Sequence, residues 1–139
     1  MVFQANNDEI HIGDAANFSK TISEYDIYSF AGITGDFNPI HIDGEYAGQT
    51  VFGERIAHGM LIAGLFSNVI GNRLIGPGSI YLGQELVFKA PVRIGDTITA
   101  TCRVIEKRED KPIYTLETIA TNQNNEVVLS GKATVIKKP

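Results

Sequence analysis

The chain has no tryptophan, one cysteine and two methionines, and its three histidines, His11, His41 and His58, are scattered. The lone Cys102 rules out an internal disulfide and fits a reducing compartment. There is no basic surplus: twelve Lys and Arg stand against sixteen Asp and Glu, a net charge of −4. Nucleic acid is therefore not an expected partner, since it demands a concentrated basic face. No apolar run is long enough to span a bilayer. The opening MVFQANNDEIHIG carries acids where a signal peptide would carry an apolar segment. Neither a zinc-like ligand spacing nor a Walker or Rossmann glycine loop is present. These absences lead to the expectation of a cytoplasmic protein without membrane contact, bound metal or cofactor.

What remains is ordinary globular material, 139 residues, 43% hydrophobic and 20% charged. That length allows one domain with a real core. A single domain over 1–139 is expected, with 1–16 as a polar arm in which His11 is solvated. NFSKTIS (17–23) reads as a short first strand. Ser23 then opens S-x-x-D, a capping-box-like helix start, with Ile27, Phe30 and Ala31 behind it and Gly35 as the stop. From Gly35 to Ala57 the chain reads as irregular, with a helical turn at Glu45–Ala47.

HGMLIAGLFSNVIGNRL (58–74) is the most apolar segment. Leu61, Leu65, Phe66, Val69 and Ile70 recur at helical spacing, and Ile62 and Ala63 leave almost no polar face, so a buried helix is expected. Four strand-like segments follow, at 79–90, 97–106, 113–122 and 127–137. In the second, Ile98, Ala100, Cys102 and Val104 alternate with polar residues. Short polar turns between long strands require antiparallel pairing. One apolar helix and one long sheet satisfy each other when the sheet wraps the helix, an α+β layout in two layers. Such a sheet leaves edge strands open, and a homodimer or higher homo-oligomer would close them.

The stretch GDFNPIHID (35–43) places Asp36 and His41 five positions apart. Helical neighbours are three or four apart, so the spacing suits a loop rather than a helical face. Asn38-Pro39 stiffens it, because the residue before a proline is pushed out of the α region. The plain alternative is an Asx turn capped by Asp36 with His41 packed nearby. Asp36, His41 and Asp43 together are a less favoured metal set.

Three segments, YSFAGITGDFNPIHIDGEYA (28–47), AHGM (57–60) and GSIYLGQELVFKAPVRIGD (78–96), resemble the MaoC-like, (R)-specific enoyl-CoA hydratases. The similarity runs from about Asn17 onward, includes the whole Gly-Asp-x-Asn-Pro-x-His core, and is greatest to the short members associated with polyhydroxyalkanoate synthesis. Gly44 departs from the proline many relatives have there, which touches loop stiffness rather than chemistry. The resemblance implies a hot-dog fold, in agreement with the wrapped sheet. It implies reversible hydration of trans-2-enoyl-CoA to (R)-3-hydroxyacyl-CoA, without a cofactor.

Hydration of an α,β-unsaturated thioester needs a base for the water, an acid for Cα and donors for the developing oxyanion. The resemblance puts base and acid on Asp36 and His41, in an order left open, and the oxyanion donor on the Gly59 N–H at a helix start. Asn38, Ser67 and Ile70 become the expected substrate-binding positions, Ser67 beside the catalytic pair and Ile70 limiting tunnel depth. For Gly59 the plain reading is a turn-permitting glycine, and for Ser67 a bond to its own helix. Tyr81 is expected to be structural, and the scattered Arg55, Arg73, Lys89 and Arg93 receive no phosphate role.

Two other functions compete. A thioesterase on the same fold often carries a carboxylate on or near the central helix, but Ile56 to Ile75 contains no Asp or Glu. A non-catalytic acyl-CoA-binding module would have no use for an intact Asp36/His41 pair.

Overall fold

A computed structural model describes residues 10–138. Strand β1 (Ala15–Thr21) leads into helix α1 (Glu24–Thr34). Ser23 caps that helix as expected: its hydroxyl accepts from the Asp26 N–H at 3.2 Å, and the Asp26 carboxylate accepts from the Ser23 N–H at 2.9 Å. The helix stops at Gly35, whose φ of 80° is a left-handed turn that only glycine adopts cheaply. Of the polar arm, Met1–Glu9 lie outside the described residues. Ile10 is buried in the core and the Gly13 N–H donates to Val104 O at 2.8 Å, so the described part of the arm packs on the sheet. His11 is exposed.

The segment between Gly35 and Ala57 is more helical than its sequence suggests. It contains α2 (Pro39–Ile42) and α3 (Gly44–Gly48). Pro39 pre-sets the first turn of α2 and the Asn38 carboxamide accepts from the Ile40 N–H at 3.2 Å. The Asp43 carboxylate caps α3 through the Glu45 and Tyr46 N–H groups, both at 3.1 Å. Side-chain caps at both starts make helices out of runs too short to show a period.

Helix α4 (Gly59–Asn68) continues into a π-helical turn at Val69–Leu74, closed by Ile75 N–H donating to Ile70 O at 2.9 Å. Strands β2 (Ser79–Phe88), β3 (Thr97–Lys107), β4 (Ile113–Thr121) and β5 (Val127–Lys137) complete one antiparallel sheet in the order β1-β3-β4-β5-β2. The expected alternation holds: Ile98, Ala100, Cys102 and Val104 of β3 are fully buried. They pack with Leu116 and Ala120 of β4, Leu129, Ala133 and Val135 of β5, and Ile62, Phe66, Val69 and Ile70 of the central helix. The sheet thus wraps the helix in the hot-dog layout. Burying each large apolar side chain there contributes roughly 1.5–3 kcal/mol.

Contrary to the sequence expectation, α4 is not buried on all sides. Met60, Gly64 and Ser67 form an exposed stripe, because the sheet covers only the opposite face. Strand β2, paired among the described residues only with β5, exposes Ile80, Leu82, Val87 and Phe88. No helix among the described residues is long and apolar enough to cross a membrane.

Candidate active site

The left-handed Gly35 ends α1 and hands the chain to Asp36, which is exposed. One Asp36 oxygen, Oδ1, accepts from the Asn38 N–H at 3.2 Å, so the Asx turn considered from sequence is present. It does not compete with chemistry, because a carboxylate has four acceptor positions and the turn occupies one. Asn38 φ/ψ of −54° and 128° show the extended conformation imposed by Pro39. Three residues later, α2 delivers His41 into the protein, nearly buried.

His41 is held by a backbone contact. Its Nδ1 lies 2.7 Å from Ile56 O. A carbonyl only accepts, so Nδ1 carries the proton and the neutral ring keeps its lone pair on Nε2. His58, the residue before α4, stacks on His41 with ring centroids 3.8 Å apart and planes inclined by 26°. One Asp36 carboxylate oxygen and one ring nitrogen of each of His41 and His58 lie within 4.8 Å of one another. Two hydrogen bonds of about 2.8 Å meeting at one water oxygen span about 4.6 Å, so the Asp36 carboxylate and His41 are placed to share a water.

The same trio is a poor donor set for a metal. A metal ion lies in the plane of each imidazole that binds it, at about 2.0–2.1 Å. Rings stacked nearly parallel aim their lone pairs side by side rather than at one point. Asp43, considered for such a set from sequence, instead caps α3.

His41 opens onto a pocket of about 420 Å³, walled mainly by Phe52, Ile56, Met60, Ile62, Phe88 and Leu129. Gly59, the first residue of α4, also lines it. First-turn N–H groups have no partner within their helix, so the Gly59 N–H is available to an oxygen in the pocket. A Cβ on Gly59 would come within 2.4 Å of the Phe88 ring, so any side chain there would have to displace that ring. Lys89 is the cation on the pocket wall. Arg55 is occupied by Glu24 and the Tyr28 hydroxyl, Arg93 donates to Phe52 O at 3.0 Å, and Arg73 lies over the Phe18 ring at 5.2 Å.

The structure therefore sets Asp36 close to His41, and His41 and Gly59 line one pocket. Asn38 stands beside them as a helix cap, Ser67 is exposed on the outer stripe of α4, and Ile70 is buried in the core; none of the three lines this pocket. Sequence reasoning gave His58 no role, although it precedes Gly59 in AHGM, because its position against His41 is a tertiary fact. Tyr81 is structural as expected, its hydroxyl donating to Gln84 Oε1 at 2.7 Å. Burial pushes the Cys102 thiol up to about 12, which leaves it unreactive.

The fold is a hot-dog in which the Asp36 carboxylate lies close to an imidazole that lines a largely apolar pocket. Known proteins agree. The MaoC-like domain family matches residues 8–127. An (R)-specific enoyl-CoA hydratase of Rhodospirillum rubrum is 53% identical over 93% of this chain and 89% of its own length. One from Aeromonas caviae is 45% identical over 94% and 96%. The solved (R)-hydratase of A. caviae, involved in PHA biosynthesis, superposes with a TM-score of 0.91 at 44% identity, covering 94% of this chain and 98% of that one. The chain belongs to the MaoC-like domain family.

Proposed function

We propose that this protein is an (R)-specific enoyl-CoA hydratase, a hydro-lyase that converts trans-2-enoyl-CoA to (R)-3-hydroxyacyl-CoA reversibly. The observation that carries the reading is the one-water spacing of the Asp36 carboxylate and the His41 ring at a largely apolar pocket. Because Nδ1 is tied to Ile56 O, His41 takes the water proton on Nε2 while Asp36 accepts the other hydrogen and fixes the oxygen. The oxygen adds to Cβ, charge moves to the thioester oxygen, and the Gly59 N–H stabilises it. The proton held by His41 then passes to Cα, so the elements of one water are added and both groups return to their starting states. Water and thioester supply everything the reaction consumes, so no cofactor is required.

Asn38 serves this site by shaping the loop. Ser67, on the exposed stripe of α4, faces acyl substrate once a second copy covers that stripe. The exposed apolar edge of β2 supports a homodimer. A sequence with one cysteine, and so no internal disulfide, supports a cytoplasmic location. Supply of (R)-3-hydroxyacyl thioesters to a polymer-forming enzyme is the use we propose for the product.

The test follows loss of the conjugated enoyl-thioester absorbance with crotonyl-CoA and longer enoyl-CoAs, with a thiol reagent run in parallel. Rapid loss without thiol release is expected. Thiol release would make the protein a thioesterase, and binding without turnover at every chain length would make it an acyl-CoA-binding module.

A further inference from the structure

His58 is 2% exposed and absent from the pocket wall, yet it contacts the Asp36 backbone and the His41 ring. Its Nε2 lies 3.0 Å from Asp36 O. That oxygen can only accept, so Nε2 carries the proton and Nδ1 holds a bare lone pair in the neutral ring. This Nδ1 is buried and has no hydrogen-bond partner among the described residues. The ring lies against His41 on the stack and against Phe30, whose centroid is 4.8 Å away.

A site that only needed filling would be better filled by phenylalanine or leucine, which leave no buried polar atom unsatisfied. The imidazole earns its place through what its N–H and its flat face do together. The N–H holds the Asp36 backbone from a distance of 22 residues in sequence, and the face sets the plane of the His41 ring. A proton relay through His58 is disfavoured, because its Nε2 proton is held by the Asp36 backbone carbonyl, which cannot pass a proton on.

We propose that His58 is a positioning residue of the hydration site, which fixes Asp36 and His41 relative to one another and transfers no proton. This inference rests on the hydratase reading, and two substitutions separate its two contacts. His58→Phe keeps a flat ring on His41, removes the unsatisfied nitrogen and loses the donor to Asp36. His58→Gln keeps an N–H near the Nε2 position and loses the stack.

The expected result is an inverted ranking of stability and rate. His58→Phe should unfold no earlier than wild type, yet lose about 10- to 100-fold in kcat on crotonyl-CoA with KM changed less than about twofold, the cost of misplaced reacting groups. His58→Gln should be less stable and recover part of kcat. A His58→Phe variant with wild-type kcat, or rates that simply follow stability, would overturn the proposal. Backbone order parameters at Asp36–Asn38, measured on the same proteins, should fall in His58→Phe and be restored in His58→Gln. If wild type shows no turnover, the hydratase reading fails by itself and the order parameters decide the positioning role, identical values in all three proteins overturning it.

Discussion

His41 and His58 lie ring on ring, centroids 3.8 Å apart, and carry their protons on opposite nitrogens. Nδ1 of His41 faces Ile56 O and Nε2 of His58 faces Asp36 O, and each carbonyl demands a proton from the nitrogen it meets. Nitrogen-15 spectra of the histidine side chains should show His41 unprotonated at Nε2 and His58 unprotonated at Nδ1 in the neutral protein. A His41 ring protonated at Nε2 would refute its assignment as the base.

Asp36→Asn is the sharpest test of the acid–base pair. The asparagine oxygen can still accept from the Asn38 N–H, so the Asx turn persists and stability should change by no more than about 0.5 kcal/mol. Hydration should fall about 10²- to 10⁴-fold, the range for loss of a positioned acid or base. Because the two groups act on one water, combining it with His41→Ala should cost little more than the worse single change. Additive losses would mean that Asp36 and His41 serve separate steps.

Several of these features are legible in the sequence, for local reasons. The alternation of Ile98, Ala100, Cys102 and Val104 survives as the inner face of β3, and Ser23 with Asp26 forms the capping box its spacing suggests. The helical turn expected at Glu45–Ala47 is present as α3, but α2 is not legible, since a four-residue helix built on a single cap shows no period. Nor is the exposed stripe of α4, because periodicity reports which residues are apolar and not what covers them. His58 escapes for a third reason: its ring acts on His41, 17 residues away in sequence, and only folding brings the two together.

Gly59 has two roles that a single substitution confuses. A Cβ there would overlap the Phe88 ring at 2.4 Å, and the same displacement would move the proposed oxyanion donor. Gly59→Ala should therefore lower both stability and rate, and Phe88→Ala should remove the overlap. If displacement of the N–H by that overlap causes the rate loss, Gly59→Ala will cost little stability and little kcat in the Phe88→Ala background, in a double-mutant cycle followed by both unfolding and turnover. Recovery of stability there without recovery of kcat would count against the displaced donor as the cause.

The free edge of β2 bears on assembly. Leu82 and Val87 are each more than half exposed on a strand paired on one side only. Wild type should sediment as a dimer, and Leu82→Lys should shift it toward monomer, since a charge on such an edge blocks pairing. Monomeric wild type at micromolar concentration would count against the proposed interface.

Lys137 supplies a pH-dependent signature independent of the active site. Its side chain is buried and Nζ donates to Ile75 O at 2.6 Å, just past the end of the central helix, where a cation suits the helix dipole. Burial nevertheless lowers its pKa from the ordinary 10.5. As pH rises through the lowered value toward 10.5, the folded protein gives up this proton before the unfolded chain does. The unfolded state then holds more protons, so this group's contribution to stability rises with pH across that window. Lys137→Met has no such term. The stability of wild type relative to Lys137→Met, taken from urea unfolding at a series of pH values, should therefore improve between neutral pH and 10.5. A constant difference would mean that the ammonium is as well solvated in the folded protein as in the unfolded chain.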